Sequence, residues 1–135
     1  MKKENIVGAI IQARYDSNRL RGKVFEHIEE KTVLEHIVNK IKTSNKINHV
    51  IVATSDEKID RQIVNFCKKK KILYFTGDKY DVLARYYKCA THFKLDTIIR
   101  ITADNPLLDV NIMNTALLKF NEGYNYVANN IEKTF

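Results

Sequence analysis

Apolar residues recur along this chain with two different spacings, and the alternation between them sets the architecture it predicts. Residues 6 to 12 form a nearly continuous apolar run, the mark of a strand buried on both faces. From 32 to 43, Val33, Leu34, Ile37, Val38 and Ile41 fall on one face at helical spacing, and Thr32 with Glu35 makes a capping box at the start. A β-branched run at 49 to 53 predicts a second strand. The reading continues with a helix at about 57 to 70, a strand at 72 to 75, a helix at 81 to 93, a strand at 97 to 102, a helix at 110 to 121 and a last strand near 124 to 128. Four strand–helix units in succession specify an α/β fold, a mostly parallel sheet with helices on both faces and right-handed crossovers. No repeat, linker or low-complexity tract divides the chain, so residues 1 to 135 are read as one domain.

Composition leaves that picture standing and narrows the setting. With 44% hydrophobic and 29% charged residues among 135, the chain has ordinary globular usage and enough apolar side chain for a moderate core. The apolar run behind Met1-Lys2-Lys3-Glu4-Asn5 is too short for a membrane span or a signal-peptide core, so a cytoplasmic protein with no membrane partner is expected. Cys67 and Cys89 lie in separate predicted helices and form no CxxC, which favours reduced structural thiols over a disulfide or zinc site. His27, His36, His49 and His92 show no metal-ligand spacing and read as surface or half-buried residues. The net charge of +7 admits nucleic acid as a partner class. No helix-turn-helix, RNP motif or aromatic–basic interleaving accompanies it, so no nucleic-acid partner is expected. The charge is assigned instead to a small polyanionic substrate and to exposed helix faces, Lys68 to Lys71 complementing a helix C-terminus.

Candidate chemistry concentrates where the first strand ends. Residues 12 to 23, QARYDSNRLRGK, bring Arg14, Ser17, Arg19, Arg21, Gly22 and Lys23 into one loop at the carboxyl edge of a parallel sheet. Open α/β sheets bind ligands at that edge, and converging Arg and Lys side chains with backbone N–H groups suit a phosphate chain. The loop is neither GxGxxG nor a P-loop, since Val24 stands where a P-loop carries its Ser or Thr.

The segments AIIQARYDSNRLRGKVF, VLEHIVNKIK, HVIVATSD, FTGDKYDVLARYY and RITADNPLLD, in that order, resemble the cytidylyltransferase family. That family includes spore-coat polysaccharide synthesis proteins, CMP-ketodeoxyoctonate synthetase and the acylneuraminate cytidylyltransferases. The resemblance implies a Rossmann-like sheet of the nucleotide-diphospho-sugar transferase type. It also implies a nucleotidyltransferase that binds CTP and Mg2+ and transfers CMP to a sugar acid with release of pyrophosphate, in surface or spore-coat polysaccharide synthesis. On the matching positions, Ala13, Arg14, Ser17, Arg19, Gly22 and Lys23 would surround the nucleotide, with Arg14, Arg19 and Lys23 on the β and γ phosphates. Asp104 would hold the metal, and Lys23 and Asp104 would carry catalysis. Two positions depart from the family pattern. Arg21 stands where the family has Pro, and there a solvated basic residue is the simpler reading. Complete members continue past the point matching Phe135 with a second metal carboxylate and most of the sugar-acid pocket and dimer contacts, so a homodimer is one expected assembly. The chain is therefore expected to be an incomplete cytidylyltransferase domain. A nucleotide-binding module without turnover is the alternative, and a nucleic-acid-binding α/β domain a distant one.

Several polar residues keep two readings. Asp104 and Asn105 precede the only proline, Pro106, so Asp104 is either a ligand at the strand end or a turn-forming Asp bonded to nearby backbone. Asp109 precedes an amphipathic helix and reads as its N-cap. Ser55 and Asp56 follow the second strand and either touch nucleotide or cap the next helix. Arg85 lies four residues beyond Asp81, a spacing that a surface ion pair explains, yet it matches the family's DVLxRYY; with Arg100 it is a candidate for substrate carboxylate or phosphate.

Overall fold

A computed structural model describes residues 3–16 and 21–129. Its main sheet consists of β1 (Val7–Gln12), β4 (His49–Ser55), β5 (Leu73–Gly77) and β6 (Thr97–Thr102), all parallel, in the order β5-β4-β1-β6. The helices are α1 (Val33–Lys42), α2 (Arg61–Lys70), α3 (Val82–His92) and α4 (Val110–Asn121). The chain steps outward from β1 through β4 to β5, then returns across the sheet to place β6 on the other side of β1. In doubly wound sheets the point of reversal, here outside the carboxyl ends of β1 and β6, is where ligands bind.

β1 is buried on both faces because helices cover both, which is why it reads as a continuous apolar run. Ala9 and Ile11 point into the larger core with Leu34, Ile37 and Ile41 of α1, Ile63 and Cys67 of α2 and Met113 of α4. Ile10 points the other way, to Ile51, Ala53 and the α3 residues Tyr86 and Cys89. Leu95 packs against Gly8 closely enough that a Cβ there would lie 2.3 Å from its side chain and would have to displace it. α1 begins with the expected capping box: the Thr32 hydroxyl accepts from Glu35 N–H at 3.2 Å and Glu35 accepts from Thr32 N–H at 2.9 Å. Burial works against the Glu35 charge, but the Thr32 backbone bond and the Lys70 ammonium at 2.9 Å outweigh it and hold the carboxyl at about 2. Cys67 and Cys89 are free and buried, and burial pushes both thiols up to about 12.

Three features differ from the sequence expectation. The helix at 57 to 70 is split: Lys58–Asp60 form a 3-10 turn and α2 starts at Arg61. A two-residue hairpin, β2 (His27–Ile28) with β3 (Lys31–Thr32), turns through Glu29 at φ 58°. Strands this short carry no alternation signal. The strand expected near 124 to 128 is irregular backbone. A strand forms only against a partner ladder, and among the described residues β6 pairs on its β1 side alone. Residues Asn125 to Asn129 instead cover a cavity of about 390 Å³ between β6 and α4.

Candidate functional site

β1 ends at Gln12, and the backbone is clasped on both sides as it leaves the sheet. Ala13 N–H donates to the Ala53 carbonyl at 3.0 Å, and Ala103 N–H donates to the Gln12 carbonyl at 3.1 Å. Because Gln12 pairs with Thr102, Arg14 and Asp104 both lie two residues beyond the last matched pair of neighbouring strands. The edge of the sheet therefore carries a cation and a carboxylate at the same level. Buried Ala13 is the pivot, and Arg14 is partly exposed.

Arg14 is anchored by a residue that sequence reading passed over. Its Nε donates to Asp60 Oδ2 at 2.7 Å, and Tyr15 N–H donates to Asp60 Oδ1 at 2.8 Å. The Ser55 hydroxyl donates to the same Oδ2. Asp60 is wholly buried and Ser55 nearly so. The site thus ties the ends of β1 and β4 to the turn before α2. Asp60 fell inside the helix expected at about 57 to 70, and no local motif singled it out. Neither Ser55 nor Asp56 caps α2. The Ser55 hydroxyl is committed to Asp60 and accepts from Glu57 N–H at 3.2 Å. Asp56 is exposed, and its backbone N–H continues the sheet by donating to Gly77 O at 3.0 Å.

The loop closes at Gly22, whose N–H donates to the Tyr15 carbonyl at 2.8 Å. Its φ of 73° and the Tyr15 ring, 3.3 Å from where a Cβ would sit, explain glycine at this point. Lys23 follows in the turn Lys23–Phe25, half-buried, with no acidic partner among the described residues. Arg21 is exposed over the Tyr15 ring and 3.8 Å from Asp16, a surface residue as its departure from the family pattern implied. The Ser17 and Arg19 expectations lie outside the described residues.

Arg85 is not the surface ion-pair partner that its spacing allowed. Asp81 caps α3 by accepting from Ala84 N–H at 2.9 Å, and Arg85 turns inward to 1% exposure. Its Nη1 donates to the Asp78 carbonyl at 2.9 Å, while Nε and Nη2 have no partner among the described residues. Burial first, and then the like charge of Arg14, pull the guanidinium below its ordinary value, while Tyr86, Asp60 and Asp78 hold it up. Arg85 thus belongs to the same electrostatic cluster as Arg14 and Asp60. Arg100 is exposed on β6, with its guanidinium carbon 5.5 Å from the Tyr86 ring centroid. The Tyr86 hydroxyl reaches Gln12 Oε1 at 3.4 Å; burial raises its pKa, with Arg100 pulling it back.

Asp104 is exposed, and its Oδ1 accepts from the Thr102 hydroxyl at 2.6 Å. The turn role falls to its neighbour, since Asn105 Oδ1 accepts from Leu107 N–H at 3.1 Å. Asp109 is the N-cap of α4, accepting from Asn111 N–H at 2.8 Å. No group of three metal-ligating side chains occurs among the described residues. No described helix is long and apolar enough to cross a membrane. The arrangement offers cations from the β1 loop and one outward carboxylate at a sheet edge, which is chemistry for a polyanion and a hard metal ion.

Comparison with known proteins gives this sheet edge a family. A protein of Methanocaldococcus jannaschii without assigned function is 38% identical over 122 residues, covering 88% of this chain and 50% of that protein. The spore coat polysaccharide biosynthesis protein SpsF of Bacillus subtilis is 32% identical over 127 residues, covering 89% of this chain and 53% of its own. A 3-deoxy-manno-octulosonate cytidylyltransferase of Fusobacterium nucleatum is 34% identical over 114 residues, covering 84% and 45%. The solved structure of a cytidylyltransferase from Leptospira borgpetersenii superposes with a TM-score of 0.88 at 31% identity, covering 98% of this chain and 57% of that one. The chain spans about half the length of the curated relatives it matches. With the cytidylyltransferase family model matching residues 8–135, from β1 through the Arg14 loop and Asp104 onward, the chain belongs to the cytidylyltransferase family.

Proposed function

We propose that this chain binds CTP with magnesium and presents its α-phosphorus to the hydroxyl of a sugar acid, the reaction serving a surface polysaccharide. The observation that carries the reading is the placement of Arg14 and Asp104 two residues beyond the ends of adjacent strands, level with one another, at the point where strand order reverses. Arg14 and Lys23 would hold the β and γ phosphates, with the buried charge of Arg85 behind Arg14. In the overall reaction the acceptor oxygen forms a bond to the α-phosphorus, the α–β phosphoanhydride bond breaks, pyrophosphate leaves and the hydroxyl proton passes to solvent. Transfer of this kind depends on positioning and charge neutralisation, which cations at a fixed sheet edge supply.

Asp104 fits a magnesium site by its donor chemistry. One carboxylate oxygen is held by Thr102 and the side chain is exposed, while magnesium takes few protein ligands and completes its shell from phosphate and water. When bound, the ion would neutralise charge on the phosphate chain. The names of the Fusobacterium and Bacillus relatives support a sugar acid and a polysaccharide destination for the product.

Pyrophosphate release with CTP, magnesium and a panel of ulosonic and nonulosonic acids tests the reading. Release that depends on one acceptor class supports it. CTP binding without release for every acceptor assigns these 135 residues the binding half of the reaction alone.

A further inference from the structure

We infer that Asp60 is a positioning residue that sets Arg14 for an incoming triphosphate, an inference resting on the reading of the Arg14 loop as the triphosphate site. A fully buried carboxylate is a costly element, retained only where it is paired and hydrogen-bonded. Asp60 meets that condition with three donors from two separate segments: Arg14 Nε at 2.7 Å and Tyr15 N–H at 2.8 Å from the end of β1, and the Ser55 hydroxyl from the end of β4. Its two oxygens therefore grip both the backbone and the side chain of the β1 exit.

The geometry of the guanidinium gives the grip its consequence. Arginine carries five N–H donors in a rigid planar fork, so committing Nε–H to Asp60 fixes the plane and leaves the Nη1 and Nη2 edge for a bidentate acceptor. Among the described residues neither Nη atom of Arg14 has a partner, and the side chain keeps 21% of its surface exposed. An arginine already held in one orientation loses less freedom when phosphate arrives than one that swings in solvent. Arg85 stands in the field of the same carboxylate, so Asp60 stays countered while Arg14 shares its charge with phosphate.

A double-mutant cycle tests the inference, with CTP and magnesium titrated calorimetrically into the wild-type chain, Asp60→Asn, Arg14→Ala and the double variant. Asp60→Asn should weaken CTP binding about tenfold in the wild-type background and less than about twofold once Arg14 is alanine, because the residue acts through Arg14. Equal weakening in both backgrounds, or a folded Asp60→Asn chain with wild-type affinity, overturns it. Should Asp60→Asn fail to fold, Ser55→Ala removes a single donor from the same oxygen and must show the same dependence on Arg14; additivity there also overturns the role. A readout without nucleotide is the Arg14 Nε–H resonance, protected from exchange in the wild type and unprotected in the variant. A wild-type chain with that protected resonance but no affinity for any nucleoside triphosphate overturns the functional reading, and the phosphate-positioning role with it.

Discussion

Replacing Arg85 with methionine should make the protein more stable and a poorer ligand binder. The side chain is 1% exposed, and its Nε and Nη2 have no partner among the described residues. Each buried donor left unsatisfied costs about 1–3 kcal/mol, whereas the single charged bond from Nη1 to the Asp78 carbonyl returns about 1.5–3 kcal/mol. Methionine keeps an unbranched stem of similar reach against Gly77 and asks for no hydrogen bond. Removing the cation also relieves repulsion with Arg14, although it forfeits attraction to Asp60 and Asp78. The balance favours the variant by about 1–2 kcal/mol, in line with buried ionic groups whose apolar replacements are neutral or stabilising. For a chain of this size that is a rise of roughly 3–8 °C in Tm. Thermal and urea unfolding would measure the gain, and titration with CTP and magnesium the expected loss of affinity. A methionine variant destabilised by more than about 1 kcal/mol would show that Arg85 serves the fold, and the reasoning from its orphaned nitrogens would be refuted.

Further variants divide the site. Lys23→Ala should weaken triphosphate binding with or without magnesium, whereas Asp104→Asn should chiefly abolish the enhancement by magnesium; calorimetric titrations that show wild-type enhancement in Asp104→Asn would restrict Asp104 to its Thr102 contact. Acid should weaken the start of α1 through Glu35. Its folded pKa of about 2 lies below the ordinary 4.5, so its contribution is complete above about pH 4.5 and disappears as pH falls toward 2. After screening at the half-exposed Lys70, that contribution is on the order of 1–2 kcal/mol. Urea unfolding between pH 6 and 3 should show this loss in the wild type and a smaller one in Glu35→Gln.

How much of this was legible beforehand depends on the range over which each signal acts. Buried β1 and the amphipathic α1 with its Thr32–Glu35 box are determined by local spacing and local hydrogen bonds, and both formed where the sequence predicted. The position of the basic residues Arg14, Arg21 and Lys23 just past β1 was legible because the apolar run before them marks the strand's end. Asp60 was not, because its partners Arg14 and Tyr15 stand 46 and 45 residues away, and nothing local distinguishes it from an acid in a first helical turn. Arg85 misled for the complementary reason: a four-residue spacing from Asp81 is a local explanation, and only the packing of α3 on β5 turns the side chain inward. The strand expected near 124 to 128 failed because periodicity reports the willingness of a segment to pair and not the presence of a partner.

The central claim, that this sheet edge is a cytidine triphosphate site, is tested most directly by titrating CTP, UTP, ATP and GTP into the chain in parallel, each with and without magnesium. The account predicts saturable binding tightest for CTP and strengthened by magnesium. Equal affinities for the four nucleotides would contradict cytosine selectivity, and absence of binding by all four would contradict the assignment of the Arg14 loop to a triphosphate.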